Sequence, residues 1–268
     1  MHPIVNIAIR AARKAGTLIS RSAERLDTLT VVSKSANDYV SEVDHAAERV
    51  IIETILKAYP DHAILAEESG QHASGKTADY QWIIDPLDGT TNFLHGFPQY
   101  AVSIGVQYRG RLEHGVIYDP VKDEMFSGSR GKGAQLNQRR LRVSSRKGLE
   151  GSLLGTGFPF RDLTHLEVYL NTFRALIKKT SGIRRPGSAA LDLAYLAAGR
   201  IDGFWEMGLN IWDMAAGCLI IEEAGGQVCD FSGGENYLKT GNIIAGNPAI
   251  CSEILEQIRP FLSADIDQ

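Results

Sequence analysis

Cysteine is scarce in this sequence, and its cysteines have no obvious partners. Cys218, Cys229 and Cys251 are the three cysteines of the 268-residue chain, and none belongs to a Cys-x-x-Cys pair. An odd number of widely spaced cysteines argues against a disulfide framework and against a zinc site. We therefore expect a protein of a reducing compartment, the cytoplasm.

Long apolar runs and an excess of positive charge are absent too. The longest apolar runs, 51–56 and 218–221, fall short of the ~20 residues that a membrane helix needs. Basic residues at positions 10, 13 and 14 interrupt the segment where a secretion signal would be apolar. A net charge of −4 argues against broad electrostatic binding to nucleic acid. With 44% hydrophobic and 22% charged residues, we expect a globular protein.

The spacing of apolar residues predicts a mixed α/β protein without internal repeats. Two helices are predicted first, over about 3–25 and from 41 to the Tyr59-Pro60 pair. The predicted strands are 63–66, 81–84, 100–108, 112–118, 125–129, 135–143, 152–156, 182–185, 201–206, 227–231 and 242–245. The other predicted helices are 163–179, 188–198, 211–224 and 248–262. We interpret residues 1–268 as one domain of two layered halves that join near 146–151, with 70–77 as a polar, flexible stretch.

The most informative stretch is 82–93, in which a buried strand ends in Asp85-Pro86-Leu87-Asp88-Gly89. Pro86 favours an extended conformation at Asp85, so the carboxylates of Asp85 and Asp88 are expected to converge above the strand end. The amides from Gly89 onward would open a helix and form an anion site. Two carboxylates beside an anion repel it unless cations intervene. Oxygen ligands without His or Cys favour Mg²⁺.

Two further acidic positions point the same way, although each also has an ordinary structural interpretation. Glu67-Glu68 follows a predicted strand, and adjacent acids usually mark a solvated loop. Asp213 begins an apolar helix, where an acid complements the helix dipole, and Asp88 alone could be a helix N-cap. Three acidic sites at strand ends and helix starts together favour a metal centre.

Several segments of the chain resemble the inositol monophosphatase family. The two longest are 82–95 and 212–226, which are similar to the two signatures of that family. The shorter matching segments are 67–69, 184–190 and 204–208. The resemblance covers nearly the whole chain, and 1–3 with 155–160 are similar to a bacterial branch of the family. Pro186 and a shorter loop near Lys34 depart from the family pattern.

The resemblance implies a fold, an assembly, an activity and a set of site residues. The fold is a five-layered αβαβα sandwich, the assembly is a homodimer, and the activity is Mg²⁺-dependent, Li⁺-sensitive hydrolysis of phosphate monoesters, typically myo-inositol 1-phosphate. The implied metal ligands, which also belong to the substrate site, are Glu67, Asp85, the carbonyl of Leu87, Asp88 and Asp213. The implied phosphate ligands are Gly89 and Thr90. The residues implied to face the inositol ring are Gly187, Ser188, Ala189 and Glu206, with Arg184 nearby.

For the reaction we expect direct in-line attack by water. Glu67 would hold and orient that water with the help of Thr90 and Asp44. Asp44 matches a family acid that is placed near Thr90. The alternative for the Thr90 hydroxyl is an ordinary helix cap. Glu206 could alternatively be an ordinary exposed acid. A fructose-bisphosphatase or a nucleotide 3′-phosphatase on the same fold would share the metal chemistry, so the metal motifs do not distinguish either of them from an inositol monophosphatase.

A non-catalytic partner protein is the other class of function that the sequence leaves open. The bacterial branch is associated with ribosomal RNA transcription antitermination, together with RNA polymerase and Nus factors. A basic run could support such contacts, and it could equally be a solvated hairpin rim. Its members are Arg139, Arg140, Arg142, Arg146 and Lys147.

Overall fold

Most of the helices lie at the start of the chain and in its second half. The computed structural model describes residues 2–28, 31–35, 38–72, 79–159, 163–263 and 266. The helices described there are α1 (Pro3–Ser22), α2 (Glu42–Ala58), α3 (Thr90–Leu94), α4 (Leu166–Ile177), α5 (Ala189–Ala197), α6 (Ile211–Glu223), α7 (Tyr237–Thr240) and α8 (Pro248–Ile258). Short 3₁₀ turns, Ala23–Thr28 and Arg259–Phe261, extend α1 and α8. None of these helices is long and apolar enough to cross a membrane.

The strands form one small hairpin and two sheets. The hairpin pairs β1 (Val31–Ser35) with β2 (Asp38–Ser41). The eight-stranded sheet contains β3 (Ala63–Ala66), β4 (Gly70–His72), β5 (Tyr80–Asp88), β6 (Ala101–Tyr108), β7 (Arg111–Asp119), β8 (Glu124–Ser129), β9 (Gly133–Leu136) and β10 (Arg139–Arg140) in the order β10-β9-β8-β7-β6-β5-β3-β4. The five-stranded sheet contains β11 (Leu153–Thr156), β12 (Gly182–Arg184), β13 (Gly203–Glu206), β14 (Gln227–Cys229) and β15 (Ile243–Gly246) in the order β12-β11-β13-β15-β14.

The sheets and helices alternate in five layers. Helices α1 and α2 cover the outer face of the eight-stranded sheet, α5 and α6 lie between the two sheets, and α4 and α8 cover the five-stranded sheet. The predicted αβαβα sandwich is therefore confirmed. The interval 141–152, which includes the predicted join at 146–151, separates the strands of the two sheets.

Helix α6 is buried on nearly every side because it packs against both sheets. Its close approach to the eight-stranded sheet needs glycine on the facing strands. A Cβ on Gly115 would lie 2.5 Å from the carbonyl oxygen of Ala216, which is far inside van der Waals contact. This packing holds the first turn of α6, and with it Asp213, at the edge of the sheet.

Strand pairing brings the acidic segments together. Strands β3 and β5 run parallel, with Ala66 opposite Ile84, so their carboxyl ends lie at one edge of the sheet. Just beyond that register, the amide of Glu67 donates to the carbonyl of Ile84 at 3.1 Å. Glu67 therefore begins its loop beside the residue that precedes Asp85.

The prediction of secondary structure was wrong in several places. The predicted strand 135–143 is broken at Asn137 and Gln138, which have φ of 44° and 71° and form the turn between β9 and β10. The hairpin β1–β2, the strand β4 and the helix α7 were not predicted. Strand β4 lies in the stretch expected to be flexible, and it pairs with the edge of β3.

Candidate active site

A cavity of about 690 Å³ lies where strands of both sheets end and where α3, α5 and α6 begin. Nearly all the sequence-predicted site residues line it. Those are Glu67, Asp85, Leu87, Asp88, Gly89, Thr90, Gly187, Ser188, Ala189, Glu206 and Asp213. Residues as far apart in the chain as Glu67 and Asp213 therefore meet at one place.

Three buried carboxylates form the centre of the cavity. One oxygen from each of Asp85, Asp88 and Asp213 lies within 4.8 Å of the other two. Burial raises the pKa of Asp85 well above its usual value, and the negative charges of Glu67, Asp88 and Asp213 raise it further. A divalent cation would relieve this repulsion, and the donor set contains only hard oxygen atoms, as Mg²⁺ prefers. The residues present therefore fit a magnesium site.

Backbone amides hold each of these carboxylates in place. The amide of Leu87 donates to Asp85 at 2.9 Å, in the turn that Pro86 enforces. The amide of Asn210 donates to Asp213 at 2.7 Å and closes a capping box at the start of α6. Each acid thus caps or closes its own local turn, so the ordinary structural interpretations hold alongside a metal site.

Asp88 is held from the other half of the chain. The hydroxyl of Ser188 and the amide of Ala190, both at the start of α5, donate to its Oδ2 atom at 2.5 and 2.8 Å. Ser188 is also the N-cap of α5, whose hydroxyl accepts from Leu191. The start of α5 therefore links the cavity wall formed by 187–189 to the acids of β5.

Helix α3 begins directly after Asp88, as the sequence predicts. Gly89 has φ of 94°, and a Cβ there would lie 2.9 Å from the carbonyl oxygen of Gln99, so only glycine fits. The Thr90 hydroxyl lies 3.0 Å from both the carbonyl oxygen of Leu87 and the Oδ1 atom of Asp44. The backbone of this turn and the Thr90 hydroxyl thus border the three acids.

Asp44 lies behind Thr90 and does not line the cavity. It forms a capping box with Ser41 at the start of α2, accepting from the Ser41 amide at 2.8 Å and from its hydroxyl at 2.6 Å. Burial raises the pKa of Asp44, although these hydrogen bonds oppose the shift. The Ser-x-x-Asp spacing would have identified this acid from the sequence without any family resemblance.

Arg184, which is predicted to lie near the site, precedes an arginine that lines the cavity. Arg184 ends β12 with its side chain exposed, its guanidinium donates to the carbonyl of Ile183 at 3.2 Å, and it does not line the cavity. Arg185 lines the cavity instead, with its guanidinium 4.9 Å from the ring centre of Phe158. Strand β12 ends at Arg184, so Arg185 belongs to the loop that leads to the start of α5.

Sequence reasoning missed Asn92 and Asp192, both of which line the cavity. The Asn92 amide nitrogen lies 2.9 Å from the carbonyl of Pro186 and 2.8 Å from that of Gln99, which fixes the loop before α5 against α3. The carbonyl of Pro186 therefore helps to position the cavity wall formed by 187–189. Lys34 lies on β1, but its side chain is outside the described part of the structure.

Comparison with known proteins agrees with this geometry. The inositol monophosphatase family matches residues 1–262. A protein named Nus factor SuhB from Pseudomonas aeruginosa is 60% identical over 265 residues, 98% of each chain. The crystal structure of extragenic suppressor protein suhB from Bartonella henselae superimposes with a TM-score of 0.93 at 46% identity, covering 96% of this chain and 99% of that one. The inositol monophosphatase from Anabaena (Nostoc) sp. gives 0.81 at 39% identity, with 96% and 95% covered. The chain belongs to the inositol monophosphatase family.

Proposed function

We propose that the protein is a Mg²⁺-dependent phosphatase that releases phosphate from myo-inositol 1-phosphate and related polyol phosphates. The observation that carries this proposal is the convergence of Asp85, Asp88 and Asp213 in a cavity that also contains Glu67 and Thr90. Three buried acids this close together, with burial and the neighbouring charges raising the pKa of Asp85, are costly unless they hold a cation. Membership of the family supports the same activity.

Each residue at this end of the cavity has a proposed role. Glu67, Asp85, Asp88, Asp213 and the carbonyl of Leu87 would hold the metal. When bound, Mg²⁺ supplies the charge that neutralises the phosphate and acidifies the attacking water.

The protein's own groups orient that water and the phosphate. Glu67 would hold the water and accept its proton, and Thr90 would align it, with Asp44 fixing the Thr90 hydroxyl. Gly89 offers its amide to the phosphate without a side chain in the way. No side chain forms a covalent intermediate in this scheme, so water attacks in line with the leaving oxygen.

The experiment is a phosphatase assay over sugar, polyol and nucleotide phosphates, with and without Mg²⁺. We expect turnover of myo-inositol 1-phosphate that needs Mg²⁺ and is inhibited by Li⁺ but not by Na⁺ at equal ionic strength. A preference for fructose 1,6-bisphosphate or a nucleotide 3′-phosphate would instead assign one of those activities on the same fold.

Asp88→Asn tests the metal assignment in the same assay. The variant should lose turnover at limiting Mg²⁺ by about 100-fold or more, because direct ligands matter at least as much as their supporting partners. Asp79→Asn is the matched control, since Asp79 is an exposed acid paired with Arg109. Full turnover of Asp88→Asn at limiting Mg²⁺ would contradict the metal site.

A second role, in transcription antitermination with RNA polymerase and Nus factors, is our other proposal. Its support is that two relatives, 60% and 54% identical to this chain, are named Nus factor SuhB. Arg139, Arg140 and Arg142 are exposed on and just after the edge strand β10, and none of them lines the cavity. A partner surface here would therefore be separate from the chemistry.

Capture of the transcription machinery by the purified protein tests this second role. Reversing all three charges with Arg→Glu changes should weaken capture, more at low salt, while phosphatase kinetics stay near wild type. The matched control reverses the exposed bases Arg174, Lys178 and Lys179 on and after α4. Asp213→Asn should lose phosphatase activity and still bind; loss of the partner by folded Asp213→Asn would contradict the separation.

The proposed assembly is a cytoplasmic homodimer. All three cysteines are buried and none forms a disulfide, which suits a reducing compartment. Phe97 and Phe158 are 54% and 45% exposed. Apolar side chains of this size are common in subunit interfaces. Light scattering across a dilution series would give the oligomeric state.

A further inference from the structure

Asp192 is a buried acid whose carboxylate accepts no hydrogen bond from the described residues. It lies in the first turn of α5, is 2% exposed, and lines the cavity. Within the described residues, no N–H or O–H group reaches its carboxylate. Buried polar groups are almost always paired, because their lost hydration is otherwise uncompensated.

Other buried acids of this protein follow that rule. Asp44, Asp119 and Asp230 each accept three or more hydrogen bonds from nearby amides and side chains. The fold therefore satisfies buried carboxylates where they are structural. Since Asp192 faces the cavity, the missing donor belongs to whatever occupies it.

Two glycines place Asp192 and Glu206 on one wall. A Cβ on Gly155, in β11, would be 3.9 Å from the Cβ of Asp192. A Cβ on Gly157, two residues further on, would overlap the Glu206 carboxylate. The negative charge of Glu206 also raises the pKa of Asp192, as expected of close neighbours. The segment 155–157 thus passes the Cβ atom of Asp192 and the carboxylate of Glu206 on the same side.

The charges near Asp192 have both signs. Burial raises the pKa of Asp192, the charges of Glu206 and Asp88 raise it further, and Arg185, which lines the same cavity, lowers it. A second cation would be attracted by those carboxylates and repelled by that guanidinium, so the Mg²⁺ dependence of an Asp192 variant distinguishes a cation from a neutral donor. A hydroxyl group donates a hydrogen bond without adding charge, and a polyol offers neighbouring hydroxyls at fixed spacing.

We propose that Asp192 is a specificity-determining residue that accepts a hydrogen bond from a hydroxyl of the polyol, beside the hydroxyl bound by Glu206. This inference rests on the proposed function and names the part of the substrate that Asp192 distinguishes. Other residues of the cavity are proposed to bind the metal and the phosphate. Asp192 therefore discriminates between alcohols and leaves phosphate binding unchanged.

The test compares myo-inositol 1-phosphate with phenyl phosphate, whose alcohol part carries no further hydroxyl. Asp192→Ala should lower kcat/KM for the inositol ester by about tenfold or more and leave the phenyl ester within about twofold. Asp192→Asn should fall between wild type and Asp192→Ala, because an amide oxygen still accepts a hydrogen bond, only more weakly than a carboxylate. Neither change should lower the melting temperature much, since each removes a buried carboxyl group that accepts no hydrogen bond from the described residues.

Equal losses on both esters, or no loss on either, would overturn the inference. An altered Mg²⁺ requirement in Asp192→Ala with an unchanged ratio between the esters would also overturn it, in favour of a cation site. If the wild type hydrolyses neither ester, the proposed function fails instead. Calorimetric binding of myo-inositol in the presence of inorganic phosphate then decides for Asp192: weaker binding by Asp192→Ala supports the inference, and equal binding overturns it.

Discussion

At the proposed metal end of the cavity, Asp85, Asp88 and Asp213 each accept a hydrogen bond from a backbone amide. At the other end, the proposed alcohol end, Asp192 accepts none from the described residues. The first three carboxylates are held by turns and helix starts that would form in the absence of any ligand. Asp192 is placed by a helix, but its hydrogen-bonding capacity stays open to the cavity.

This difference separates two tasks. Groups that act on the phosphate must be oriented before the substrate arrives, because reorientation during the reaction costs rate. Groups that discriminate between alcohols act best when the correct ligand alone satisfies them, since a wrong ligand then leaves a buried group unpaired. Changes at the metal end should therefore affect every substrate alike, and changes at the other end should affect some substrates selectively.

Glu67→Gln is the change with the largest expected effect. Glutamine keeps the size of the side chain but does not accept a proton, so kcat should fall by ~10²–10⁴ while KM changes far less. The loss should be the same for inositol and phenyl esters, as measured by steady-state kinetics at saturating Mg²⁺. A variant within about twofold of wild type would remove Glu67 from this role.

Acid stability is the next effect in size, and it limits the pH range in which the two ends can be compared. His114 is 7% exposed and stacks on His2, and burial together with the His2 charge lowers its pKa to about 4. The unfolded chain takes up the proton near pH 6.5, so the folded state loses stability as the pH falls from about 6.5 to about 4. The loss amounts to roughly 3 kcal/mol at most.

His114→Gln should remove this loss. Denaturant unfolding of both proteins between pH 7 and pH 4 measures it, and the gap between the curves should change in favour of the variant as the pH falls. The raised pKa of Asp85 and of Asp44 acts in the opposite sense in both proteins and cancels in the difference. Parallel curves would show that His114 does not titrate in this range.

Sequence reasoning located elements and acids best where the signal was contiguous. Helices α1, α2 and α6 and the core of β5 follow from apolar spacing, with Ser41 and Pro3 marking helix starts. The edge strand β4 is short and polar, and it forms because β3 offers hydrogen bonds rather than because of its own composition. Local patterns do not carry that information.

The same distinction applies to the cavity. Asp85 and Asp88 lie in one short motif, so their convergence was predictable from Pro86 and Gly89. Asp192 lies in an alanine- and leucine-rich helix, where a single acid among buried positions was the available signal, but its meaning depends on Glu206 and on the glycines across the cavity. Which of the two arginines before Pro186 faces the cavity depends on where β12 ends.

A smaller effect at the metal end is expected from Ser188→Ala. The change removes the hydroxyl that donates to Asp88 but leaves the Ala190 amide in place, so Mg²⁺ affinity should fall about tenfold. Loss of the N-cap of α5 should also cost about 1 kcal/mol of stability. Asn247→Ala, which removes the N-cap of α8, is the control: it should lose stability without any change in Mg²⁺ dependence. An unchanged Mg²⁺ requirement in Ser188→Ala would show that Asp88 needs no support from α5.

The smallest expected effect lies at the alcohol end, in Gly157→Ala. The added methyl group would overlap the Glu206 carboxylate, which must swing aside on a flexible side chain, so the fold should survive. We expect kcat/KM for myo-inositol 1-phosphate to fall about three- to tenfold, below the cost of a whole hydrogen bond, with phenyl phosphate unaffected. Gly148→Ala is a matched control, because its methyl group would crowd the carboxylate of Glu253, which does not line the cavity. It should leave both esters unchanged. If Gly157→Ala slowed both esters equally, the wall formed by Glu206 and Asp192 would also support the phosphate. The two ends of the cavity would then not have the separate functions that their hydrogen bonding indicates.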